Sequence, residues 1–70
     1  MSKYLIIIEK AGKNYSAFCP DLPGCIGTGA TPKETERNIK EAIEFHLDGL
    51  KEDGGKTPRS GTAQAKYVLI

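Results

Sequence analysis

One stretch of this 70-residue chain carries the period of an amphipathic helix, and it limits every architecture the rest can build. Thr31-Pro32-Lys33-Glu34 places a hydroxyl cap, then a proline whose missing N–H does no harm at a helix start, then a glutamate that completes a capping box. Ile39, Ala42, Ile43, His46, Leu47 and Leu50 follow at spacings of three and four, forming one apolar stripe that Gly54-Gly55 ends. A single stripe can cover one face of one sheet. A chain this short also has room for one domain, residues 1–70, with a thin core.

The remaining segments read as strands. Lys3 to Lys10 is β-branched and apolar at its centre, with Tyr4, Ile6 and Ile8 on one face and Leu5 and Ile7 on the other, the pattern of a central strand covered on both sides. Ala11-Gly12 reverses the chain into a second strand, Asn14 to Cys19. A third, from about Cys25 to Ala30, is weakened by Gly27 and Gly29, which predict a bulge or a close backbone approach. Beyond the helix, Lys56 to Gly61 is a connector, and Gln64 to Ile70 resumes strand character through Tyr67, Val68, Leu69 and Ile70. The expected fold is α+β in βββαβ order, one helix on a four-stranded mixed sheet, with the last strand pairing in parallel beside the first through a right-handed crossover.

Four strands and one helical lid leave an apolar sheet face uncovered. Leaving several such side chains in water forgoes a few kcal/mol at about 25 cal/mol per Å², a large share of a small domain's stability. The expected outcome is association with protein, as a homodimer or larger, through Tyr4, Ile6, Ile8, Tyr67 and Leu69. Phe45 joins these candidates because it sits roughly 120° from the centre of the helix stripe.

Charge narrows the partners. Ten Lys and Arg against nine Asp and Glu give a net +1, without the basic excess that phosphate-backbone binding needs, so direct nucleic-acid contact is not expected. Residues 31–53 nevertheless hold seven acids and four bases, and Glu41, Glu44 and Asp48 offer a docking surface for a basic partner, against the alternative of a plain solvated face. No apolar run approaches the roughly 20 residues of a membrane span, and the N-terminus lacks the pattern of a signal peptide. The cytoplasm is the expected compartment.

Between the second and third strands stands Cys19-Pro20-Asp21-Leu22-Pro23-Gly24-Cys25. Its two prolines fix φ and its glycine permits a tight reversal, which makes Pro20 to Cys25 a rigid structural loop, with Asp21 accepting backbone N–H groups as in an Asx turn. The rival roles are weaker. Two-metal hydrolysis needs several converging carboxylates, and the sheet and its loops offer Glu9 and Asp21. The C-x5-C spacing matches neither zinc ribbons nor redox dithiols, so both cysteines are read as small core residues. His46, on the apolar stripe without a nucleophile implied beside it, reads as a packing or interface residue. Tyr4, Tyr15, Phe18 and Tyr67 lack the basic patch of a base-stacking sheet. No catalytic residue, metal or cofactor is expected.

Taken together, the run from Tyr15 to Pro58 resembles the HicB antitoxin family through its aromatic strand, Pro20-Asp21-Leu22-Pro23-Gly24-Cys25, the Gly-containing strand, and Glu41-Ala42-Ile43 in the helix. The resemblance implies a truncated RNase H-like fold and a non-catalytic protein that occludes HicA, a small basic mRNA-cleaving toxin. It casts Glu41, Glu44 and Asp48 as mimics of RNA charge before that toxin. Many members also carry a C-terminal DNA-binding domain; with this sequence ending at Ile70, autorepression is not expected to carry over. The competing readings are a degenerate RNase H-like nuclease and a homo-oligomeric small-ligand module.

Overall fold

The computed structural model describes residues 3–52, 54 and 60–70. Three strands, β1 (Ile7–Ala11), β2 (Asn14–Phe18) and β3 (Ile26–Gly29), precede one helix, α1 (Pro32–Glu52). The strands form an antiparallel sheet in the order β1-β2-β3. Ala11 pairs with Asn14 across a two-residue turn whose first member, Gly12, has φ +64°, the position such a hairpin reserves for glycine.

Register decides which face of the sheet is dry. Ile8, Ala17 and Gly27 lie opposite one another across the three strands, as do Ile7, Phe18 and Ile26 in the neighbouring row. Strand alternation sends these rows to opposite faces. The first faces α1; the second faces away from it, with Phe18 and Ile26 exposed. Ala17, Cys19, Leu22, Cys25, Ile39 and Ile43 are buried together, and Tyr4, Ile6, Ile8 and Leu47 pack around them. The helix therefore shelters one face and leaves an apolar row on the other.

The helix starts where its capping signal puts it. Glu34 donates its N–H to Thr31 Oγ1 at 3.1 Å, and Thr31 O accepts both Thr35 N–H at 2.9 Å and the Thr35 hydroxyl at 2.8 Å, which lets Thr35 be fully buried. Asn38 Nδ2 then donates to Thr28 O at 2.6 Å, tying the helix to β3. At the far end Gly54, with φ +75°, donates to Lys51 O at 3.1 Å, the left-handed stop expected there. Gly55 and the connector up to Arg59 lie outside the described residues.

Both glycines of β3 are spaces for the helix. A Cβ on Gly27 would stand 2.7 Å from Ile39 N and 2.8 Å from Ile39 Cβ, and one on Gly29 would stand 2.8 Å from Thr35 N. Of the two outcomes expected for these residues, close approach is the one the structure takes.

The described residues depart from expectation in two linked ways. Gln64 to Ile70 forms no strand, and β1 is an edge of a three-stranded sheet rather than its centre. A strand exists only through its ladder, and here the tail finds none among the described residues. Tyr67, Val68, Leu69 and Ile70 stand between 78% and 116% exposed, although full burial of such side chains stabilises by about 1.5–3 kcal/mol each.

Candidate functional site

The corner between β2 and β3 is built from two consecutive turns. Leu22 N–H donates to Cys19 O and Cys25 N–H donates to Leu22 O, each at 3.1 Å, while Cys19 N–H returns to Cys25 O at 3.3 Å. Pro20 and Pro23 occupy the second position of each turn, where φ near −65° is wanted, and Gly24 follows Pro23 with φ +91°, the pairing of a type II turn. Leu22 is driven into the core as the plug between them. The prolines remove donors, yet the loop is closed by backbone hydrogen bonds of its own.

Asp21, expected to accept from N–H groups inside this loop, bonds elsewhere. Its carboxylate accepts Gly61 N–H at 3.1 Å through Oδ2 and the Thr62 hydroxyl through Oδ1. The bonds reach 40 residues along the chain instead of staying inside the corner, and they fasten the root of the C-terminal segment. Nothing local in the sequence marks Gly61 or Thr62 as its partners.

Cys19 and Cys25 are both free thiols and both buried. Burial pushes the Cys25 thiol above its ordinary value, and the neighbouring Cys19 adds to the shift. A thiol held in its neutral form is a poor nucleophile and a poor metal ligand. Among the described residues, no group of three or more His, Cys, Asp and Glu is placed to hold a metal ion.

Two concavities flank the helix. A shallow one of about 480 Å³ is lined by Gly24, Cys25, Ile26, Phe45 and half-buried His46, with Phe45 itself 82% exposed on its rim. The larger, of about 850 Å³, runs between the segment before β1 and the helix; Tyr4, Ile6, Ile39, Ile43 and Leu47 line it together with Glu36, Lys40, Glu44 and Lys51. Of the residues expected at an interface, Tyr4, Ile6 and Ile8 are thus half-buried against the core, while Phe45, Tyr67 and Leu69 are exposed. Phe18 and Ile26, exposed on the outer sheet face, were not among them; hairpin register places Phe18 beside Ile7, and that signal was present in the alternation.

Glu41, Glu44 and Asp48 are all exposed on α1. Spacings of three and four put them along one side of the helix, where no described hydrogen bond engages them in the core.

Comparison with known proteins gives the following. A family model described as "HicB_like antitoxin of bacterial toxin-antitoxin system" matches residues 4–68. A 14.9 kDa protein from the rep-hol intergenic region of Haemophilus phage HP1 is 46% identical over 65 residues, covering 93% of this chain and 48% of the phage protein; the chain thus spans about half the length of that relative. A UPF0150 protein of Thermoplasma acidophilum is 41% identical over 63 residues, covering 89% of this chain and 91% of its own. Among solved structures, a chain of the HicA3 and HicB3 toxin-antitoxin complex superposes with a TM-score of 0.71 at 28% identity, covering 86% of this chain and 70% of that one.

Proposed function

The chain belongs to the HicB-like antitoxin family of bacterial toxin-antitoxin systems, and from that premise we propose that it neutralises a HicA-like, mRNA-cleaving toxin by binding and occluding it in the cytoplasm. The observation that carries this reading is the likeness to a chain of the HicA3 and HicB3 complex, at an identity high enough to concern more than the fold. The exposed acids of α1 support it from another side, because a protein that grips RNA presents basic charge, and Glu41, Glu44 and Asp48 offer that charge a counterpart.

The mode of action is association rather than catalysis. Asp21, one of two carboxylates the sheet and its loops could offer a hydrolytic centre, spends its acceptors on Gly61 and Thr62. Self-association into a homo-oligomer belongs to the same reading, supported by the exposed apolar side chains of Phe45, Tyr67 and Leu69. So does a four-stranded, RNase H-like sheet, which needs a partner for Gln64 to Ile70.

The test is a calorimetric titration of this protein with a catalytically silenced HicA-type toxin, paired with an RNA-cleavage assay using the active toxin. Saturable binding and loss of cleavage at stoichiometric antitoxin are expected. Absence of both would overturn the reading.

A further inference from the structure

Two unmet needs stand on the same molecule. Residues 62–70 form an arm with strand-forming Tyr67, Val68, Leu69 and Ile70 at its end, outside any ladder and almost wholly in water. β1 is the first strand of the sheet, so its side away from β2 has no strand neighbour among the described residues. Where the chain enters β1 lies the 850 Å³ groove, with apolar Tyr4, Ile6, Ile39, Ile43 and Leu47 and a fringe of Glu36, Lys40, Glu44 and Lys51. A strand laid against β1 would take the free backbone groups and cover the groove at once.

We propose that this strand is the arm of a second copy, exchanged reciprocally so that each protomer gives residues 62–70 and receives the same segment along β1. The arm's own attachment argues for the second copy over the first. Asp21 fastens its root to the corner through Gly61 and Thr62, and Gly61, at φ +78°, turns the chain there. From that root the arm leaves its own groove open. Its nine residues reach about 30 Å when extended, enough to cross to a neighbour.

The chemistry of the arm suits this acceptor. Alternation puts Tyr67 and Leu69 on one side and Val68 and Ile70 on the other. One pair enters the groove; the other continues the apolar row of Ile7, Phe18 and Ile26 on the outer face. Lys66 is the arm's single charged side chain, and the fringe offers Glu36 and Glu44 among its ions. The contact is the same in both directions, so the assembly closes as a two-fold dimer instead of growing into a fibre.

This inference rests on the self-association named above and not on toxin binding. Its test begins with light scattering of the full chain across micromolar concentrations, where a dimer is expected. Val68→Pro removes a ladder donor from a residue outside the folded core, and Leu69→Asp places a charge at the contact. Each should weaken dimerisation at least tenfold with the helical circular dichroism unchanged. Isotope-filtered NMR on a mixture of 13C-labelled and unlabelled copies then locates the arm: nuclear Overhauser effects to Ile6 and Ile43 methyls are expected between copies from one face of the arm, the Leu69 methyls or those of Val68 and Ile70. A monomer at every concentration overturns the exchange and the self-association together. A dimer whose arm contacts stay within one copy, or whose stability ignores both substitutions, overturns the exchange alone, and the toxin titration reports independently of either result.

Discussion

At Gly27 a single hydrogen atom in place of a side chain sets how near the helix lies to the sheet. The backbone of Ile39 occupies the space a methyl would need, and backbone cannot swing aside as the end of a flexible side chain can. Gly27→Ala should therefore push α1 off β3 and destabilise the fold by about 2 kcal/mol, within the range for an overpacked core, as read by the midpoint of urea unfolding. Cys25 gives a second outcome at this scale. Its thiol pKa is raised by burial and by Cys19, so the folded state holds the proton more tightly than the unfolded chain. Stability from this group is complete below the unfolded thiol value of about 8.5 and is lost as pH climbs through the folded value. Thiol titration of the native protein should accordingly be slow at pH 8 and become fast on adding denaturant; equal rates in both conditions would contradict the buried, neutral thiol.

The helix was the most legible element because all its determinants are local: Thr31 and Glu34 at one end, the stripe in the middle, and Gly54 at the other. The hairpin was legible for the same reason, although its turn falls at Gly12 and Lys13 rather than at Ala11 and Gly12. The corner was legible as a rigid turn from its prolines and glycine, but the reach of Asp21 to Gly61 and Thr62 was not, since a bond across 40 residues leaves no mark in either segment. The same helix supports a prediction about binding. Reversing charge at Glu41, Glu44 and Asp48 with lysines should weaken the HicA-type toxin at least tenfold, with the wild-type advantage shrinking as salt rises, because exposed charges are screened over about 10 Å at 0.1 M. Calorimetric affinity unchanged by the triple substitution would remove the acids from the interface. Helical circular dichroism checks that the substitutions spare the fold.

For the whole molecule, periodicity gives Gln64 to Ile70 the pattern of a strand, yet no ladder among the described residues includes it. Alternating apolar residues state a demand for burial; they do not say whether it is met at home. That is why β1 reads as a central strand and stands at an edge, and why one helix proves to be too small a cover. Exchange of the arm makes stability a property of concentration, and the thermal midpoint should rise as the protein is concentrated and cease to do so in Val68→Pro.

The tether at Asp21 has a final consequence. Because it anchors residues 62–70 without sheltering them, a solitary molecule displays an exposed apolar stretch of the sort that degradative machinery engages. Scarcity would then shorten its lifetime and abundance lengthen it, so that the cell's supply of this protein would fall away faster than dilution alone dictates.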